Sequence, residues 1–222
     1  MTRHFTASIA LGFCVSFLLP AVSMASAIFT NFGSGQSYNI SAGNAVGNGF
    51  TFDGSVFAEG STFTPAANAK FGSLDIALSC AFSCPDPFTV DLRRDGGDQP
   101  GTLIESFALA GASLGALGVN NPPLVLNSAL LPTLTAGTQY WVTVSADLNN
   151  AIAWNLNSTS DISDQAISID GGASWFSPSG LTPGAYEVDS QSTAGVPEPG
   201  SFVLLATALS LCLMRRFASR RA

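Results

Sequence analysis

The chain has 222 residues, of which 46% are hydrophobic and only 10% charged, and its formal net charge is −7. Eight Lys and Arg against 15 Asp and Glu argue against a nucleic-acid partner, which requires a surface able to neutralise phosphates. One histidine, His4, and four cysteines leave the body without the ligands for a four-coordinate zinc site or the base of a serine triad.

In chain order, Arg3 and His4 precede an apolar stretch, residues 9–19, and Ala25-Ser26-Ala27 supplies small residues at a cleavage position. This pattern predicts a secretory signal peptide over residues 1–27, cut after Ala27, with an uncleaved N-terminal anchor as the alternative. Residues 28–195 then form an exported body of a size usual for one domain. Lys70, Arg93 and Arg94 are its only basic residues beside 14 acidic ones, a net charge of −11 that suits solubility outside the cell.

Within the body, runs rich in β-branched and aromatic residues alternate with turn residues, and helical periodicity is scarce. Strands are expected over 50–57, 71–79, 88–93, 102–110, 123–127, 139–145, 151–156, 166–169 and 186–189, predicting an all-β fold built as a single antiparallel β-sandwich of jelly-roll type. Between the second and third of these lie Cys80 and Cys84. Cys14 and Cys212 fall in the two membrane-directed segments, so Cys80 and Cys84 are the one pair in the body, and an oxidising compartment favours bridging them. The loop Ala81-Phe82-Ser83 is short, so this disulfide is expected to pin a local turn.

The stretch Asp95-Gly96-Gly97-Asp98-Gln99-Pro100-Gly101 reads as a hairpin connection, because its glycines and proline favour chain reversal. Farther on, the alternation in Tyr140-Trp141-Val142-Thr143-Val144 places Tyr140, Val142 and Val144 on one strand face and Trp141 and Thr143 on the other.

Residues that carry chemistry are sparse. No Gly-x-Ser-x-Gly elbow, phosphate-binding loop or dinucleotide fingerprint occurs, and no pair of carboxylates is singled out by spacing as a glycosidase would need. No catalytic residue and no cofactor is expected. Two aspartate groups, Asp91 with Asp95 and Asp98, and Asp161 with Asp164 and Asp170, lie beside glycines but lack the Asp-x-Asp-x-Asp-Gly calcium loop, so they read as turn residues and no metal is expected. Exported β domains can stack sugars on aromatic rings. Trp141 reads as core, whereas Trp154 beside Asn155 and Asn157, and Trp175 beside Gly171-Gly172, are candidate platforms, with core packing as the competing reading. Asn157-Ser158-Thr159 fits an N-glycosylation sequon, a pattern usually silent in bacteria.

The end of the chain is the most specific part. Val196-Pro197-Glu198-Pro199 is followed by a segment without charge, residues 200–214, and then by Arg215, Arg216, Arg220 and Arg221. As a helix the uncharged segment reaches about 22 Å, short of the roughly 30 Å hydrocarbon core, and snorkelling arginines with local thinning can meet the difference. The prolines hold the segment before it extended and accessible, and the arginine cluster places the tail on the cytoplasmic side.

This order of motif, short apolar helix and arginine cluster resembles the PEP-CTERM sorting domain over residues 196–222. The resemblance implies that Val196, Pro197, Glu198 and Pro199 are read by an exosortase, a membrane-embedded cysteine protease-transpeptidase of bacteria that produce extracellular polysaccharide. The body, through Phe88 to Leu92, Pro100-Gly101-Thr102-Leu103 and Tyr140-Trp141-Val142, also resembles the choice-of-anchor β-sandwich domains that precede interchangeable C-terminal anchors.

The expected function is therefore that of a non-catalytic, exported bacterial envelope or matrix protein, membrane-anchored by its C-terminal helix and open to release after processing. Its partners would be the sorting enzyme, the membrane and exopolysaccharide, in a structural or adhesive role within a biofilm. The alternatives are a surface carbohydrate-binding module, a glycosidase, and an ordinary single-pass membrane protein with an uncut anchor.

Overall fold

A computed structural model describes residues 25–50, 54–146 and 149–192. The expected leader up to residue 24, the motif Val196-Pro197-Glu198-Pro199, the apolar run after it and Arg215, Arg216, Arg220 and Arg221 lie outside the described residues.

The described chain is all-β. Its strands in order are β1 (Ala27–Thr30), β2 (Tyr38–Val46), β3 (Ala58–Phe63), β4 (Ala69–Ile76), β5 (Leu78–Cys80), β6 (Pro87–Asp95), β7 (Pro100–Ala110), β8 (Leu124–Asn127), β9 (Thr133–Leu134), β10 (Tyr140–Ala146), β11 (Ile152–Asn157), β12 (Gln165–Ser168) and β13 (Tyr186–Ser190), with one short 3-10 turn, Gly111–Ser113. Among the described residues no helix is long and apolar enough to cross a membrane.

Three antiparallel sheets result, ordered β1-β13-β4-β8 with β9 on β4, β12-β3-β10-β6-β7, and β2-β11-β5. Their inward side chains share one hydrophobic cluster, an arrangement consistent with a β-sandwich: Leu74 and Val188 come from the first sheet, Val90 and Val142 from the second, and Val46 and Ile152 from the third. Ring pairs cross between sheets, with Phe71 and Phe107 centroids 6.3 Å apart and Phe63 and Tyr186 6.4 Å apart.

The hairpin expected at 95–101 joins β6 to β7, paired from Pro87 opposite Ala110 to Asp95 opposite Pro100, with the register shifting on either side of Arg93. Gly97 and Asp98 take the left-handed backbone conformation that the reversal requires, at φ 93° and 60°. The alternation expected in β10 is also present. Tyr140, Val142 and Val144 enter the shared core, while Trp141 and Thr143 are buried on the opposite face.

Other boundaries differ from expectation. Of the strand expected at 50–57, residues 51–53 lie outside the described residues, and Val56 and Phe57 make only isolated bridges, to Asp170 and Gly47; the ladder of β3 starts at Ala58. The single strand expected at 71–79 is divided at Ala77. Before it, β4 pairs with β13 and β8, and after it β5 pairs with β11, so the chain changes sheets there. Ala77 itself donates its N–H to the Ala185 carbonyl and accepts from Asn155 N–H, which keeps both polar groups satisfied through the change. Strands β1, β2, β3 and β9 have no counterpart among the expected ones.

Glu105 on β7 links the second sheet to the loop that leaves the first. Its carboxylate is buried and accepts hydrogen bonds from the Ser128 hydroxyl (2.6 Å), Ala129 N–H (2.7 Å) and Leu130 N–H (3.1 Å). Glu105→Ala removes the acceptor common to three part-buried donors, and the loss of these charge-assisted hydrogen bonds is expected to destabilise the fold by about 1–2 kcal/mol in denaturant unfolding. A loss below about 0.5 kcal/mol would show that water replaces the carboxylate at no cost.

Candidate functional site

The outward face of the second sheet carries a row of small and hydroxyl side chains. Pairing aligns Ala58 with Ser145, Ser145 with Thr89, and Thr89 with Ala108, on the face opposite the core residues Val144 and Val90. The Thr89 and Ser145 hydroxyls lie 2.8 Å apart and hydrogen-bond each other. Above them opens a cleft of about 380 Å³, with Thr89, Ser145 and Ala108 in its floor and Val56, Asp170 and Gly171 in one wall.

That wall is fixed by backbone and carboxylate hydrogen bonds. Val56 N–H donates to the Ile169 carbonyl at 3.0 Å, and Gly171 N–H donates to the Val56 carbonyl at 2.8 Å. Asp170 accepts from the Ser168 hydroxyl at 2.6 Å and from both the N–H and hydroxyl of Ser174. Those donors, Ser168 first, hold its carboxyl down at about 2, so it is ionised throughout the physiological range. The segment after it returns along the sheet, where Phe176 bridges Ile167 and the Ser177 hydroxyl donates to the Asp98 carbonyl at 2.9 Å.

The other approach to the cleft comes from the disulfide loop. Cys80 and Cys84 are bridged, with Cα atoms 5.9 Å apart. The loop exposes Phe82, whose ring meets Phe50 edge-on at 5.7 Å. Asn150 is fully buried and clamps the exit from this loop: its side-chain oxygen accepts from Asp86 N–H at 3.1 Å, and its amide donates to the carbonyls of Asp86 (3.0 Å) and Pro87 (3.2 Å). Pro87 and Phe88 then line the cleft as β6 begins. Sequence reasoning placed the disulfide but not this clamp, since an asparagine pair in a loop carries no signal of burial.

The tryptophans separate clearly. Trp154, read from its polar neighbours as a possible sugar platform, is buried: it is 1% exposed and its indole N–H donates to the Ala185 carbonyl at 3.1 Å. It packs against Tyr186, ring centroids 5.8 Å apart. Trp141 is also fully buried, and its indole N–H donates to Asp95 at 2.9 Å. Burial pushes the Asp95 carboxyl up, but hydrogen bonds from Trp141, Gly97, Gln139 and Asp98 outweigh it and hold the group below its ordinary range. Trp175 alone is half-buried, lying against Gly172 next to the cleft wall.

The aspartates considered for calcium are dispersed among other partners. Asp91 is paired with Arg93 at 2.6 Å and accepts from the Ser106 hydroxyl, Asp95 serves the hairpin turn, and Asp161 accepts from Asn31 and Ser163. Among the described residues no three His, Cys, Asp or Glu side chains come together as a metal site. The sequon residue Asn157 is buried, with its amide donating to the carbonyls of Asp161 and Pro183.

Two groups of acidic and polar residues were not anticipated. Asp189 and Glu187 on β13 face Ser73 and Asp75 on β4, and burial, then the charges of Glu187 and Asp75, push the Asp189 carboxyl up to about 6. On β3, Glu59 and Ser61 point inward beside Val144 and Val142, and Gln165 of β12 lies opposite Ser61. Glu59 Oε2, Ser61 Oγ and Gln165 Oε1 are buried without a hydrogen-bond partner among the described residues, and burial pushes the Glu59 carboxyl up to about 8.

None of the family models, curated proteins or solved structures compared with the chain matches it.

Proposed function

We propose that the protein is a non-catalytic, exported component of a bacterial envelope or extracellular matrix, its body a single β-sandwich of jelly-roll type carried between a signal peptide and a PEP-CTERM-like tail. The observation that carries export is the Cys80–Cys84 bridge, because such bonds persist in oxidising compartments and are rare in the cytosol. A strongly acidic body with three basic residues suits a protein kept apart and soluble at a surface. In the cleft the hydroxyls of Thr89 and Ser145 are directed at each other and Asp170 is held by two serines, an arrangement suited to holding a molecule rather than moving a proton.

On this reading the tail passes Val196, Pro197, Glu198 and Pro199 to an exosortase, while the uncharged segment and Arg215, Arg216, Arg220 and Arg221 hold it in the membrane until it is cut. Intact-mass and C-terminal peptide mass spectrometry of the native protein, taken from membrane, envelope and medium fractions, tests this. Sorting predicts a terminus near Pro197 to Pro199 outside the membrane fraction. An intact Ala222 found solely in membranes would reduce the tail to a permanent anchor.

A further inference from the structure

We propose that the cleft on the outer face of the second sheet binds one or two rings of a neutral glycan. This goes beyond the exported, structural reading and stands or falls separately from it, because it depends on the cleft alone.

The size fits: about 380 Å³ lies within the range of roughly 300–1,000 Å³ typical of small-ligand clefts. The chemistry of the surface fits a sugar, which presents apolar C–H patches between hydroxyls. Val56, Pro87 and Ala108 supply apolar contact, and Thr89 and Ser145 place two hydroxyls in the floor between them. Each hydroxyl has one donor and two acceptor sites, and their mutual bond of 2.8 Å uses one donor and one acceptor, so both keep capacity for a ligand. Asp170 adds a carboxylate whose oxygens accept more than the three hydrogen bonds already made.

The charge distribution selects against acidic polymers. Asp170 is the only charged side chain among the described residues lining the cleft, and it is ionised. The body around it carries 14 acidic and three basic residues. A uronate or phosphate brought into the cleft meets like charge without a cation to pair with, a repulsive element that gives specificity by exclusion. The floor is also rigid. Thr89, Ser145 and Ala108 sit on paired strands and the wall is tied by Val56 and Gly171, so little ordering is needed on binding.

Titration calorimetry of the full chain in a non-glycosidic detergent tests this with neutral hexaoses built from glucose, mannose or galactose, and with hexagalacturonate. At least one neutral hexaose is expected to bind, and hexagalacturonate at least tenfold more weakly. Ala108→Trp, which fills the cleft from an exposed position on β7, is expected to weaken binding at least tenfold with an unchanged melting temperature. Ser145→Ala provides a second, smaller loss, in case the bulky variant misfolds. The proposal is overturned if none of the neutral hexaoses binds, if the acidic one binds as well or better, or if both variants bind like the native chain. Each of these outcomes leaves the mass of the C-terminus, and hence the export reading, unaffected.

Discussion

Glu59→Gln is expected to leave the fold more stable than the native chain by roughly 3 kcal/mol at pH 7, with the difference growing toward pH 8 and vanishing near pH 4. The cause is the position of Glu59 on the inward face of β3, beside Val144 and with one oxygen unpartnered. Desolvation penalises its charged form, so in the folded protein it holds its proton up to about 8, against 4.5 ordinarily. Between those values the folded state binds a proton that the unfolded state has released. Stability therefore falls as pH rises from about 4.5 to about 8 and is level on either side. Glutamine keeps the shape and cannot ionise. Urea unfolding at intervals from pH 4 to pH 9 should show the native midpoint dropping relative to that of the variant. Asp189 also favours the folded state at low pH, losing its contribution up to about pH 6, but it does so equally in both chains. Parallel curves for the two proteins would mean that Glu59 ionises normally.

Gly184→Ala is expected to destabilise the domain by about 3 kcal/mol or more, at the upper end of what overpacking costs. Gly184 does not occupy the left-handed region of the backbone, so its constraint is space: a Cβ there falls on the five-membered ring of the Trp154 indole. The indole has no room to retreat, being 1% exposed, held by the Ala185 carbonyl and packed against the tilted ring of Tyr186. Trp154→Leu alone leaves a cavity and is expected to lose a few kcal/mol. The two changes together should cost less than their sum by about 1–2 kcal/mol, since the leucine vacates the volume that the new methyl group needs. Strict additivity in a double-mutant cycle by denaturant unfolding would show that the backbone at Gly184 shifts instead.

The same pair of residues shows where the sequence was hard to read. Trp154 is followed by Asn155 and Asn157, and its burial follows from the return of the 183–186 segment across it, a contact 30 residues away in the chain. The strands that were legible, β6, β7, β10 and β13, are rich in β-branched and aromatic residues and alternate cleanly. Those that were missed are short or made of small and polar residues: Tyr38–Val46 has Asn39, Ser41, Gly43 and Asn44, and Ala58–Phe63 contains Glu59, Gly60 and Ser61. Such strands owe their conformation to the strands they pair with, β11 beside β2 and both β10 and β12 beside β3, rather than to their own preference. At the end of 50–57, Val56 and Phe57 suggested a strand, but they make only isolated bridges and the ladder of β3 begins after them, at Ala58. The Cys80–Cys84 pairing was legible because nothing else in the body competed for either thiol. The cleft was not, since its floor is assembled from single residues of three strands, none of them unusual alone.

The described body begins and ends on neighbouring strands. Phe29 and Thr30 of β1 pair with Val188 and Glu187 of β13, and β13 is flanked on its other side by β4. A tail fixed to a surface thus draws on the body through a strand that has hydrogen-bonded neighbours on both sides. Tension directed along β13 loads the rungs of two ladders together in shear, instead of peeling one edge a rung at a time. On the proposed reading of a C-terminal anchor, the strand next to the tether is in that sense well placed to bear mechanical load.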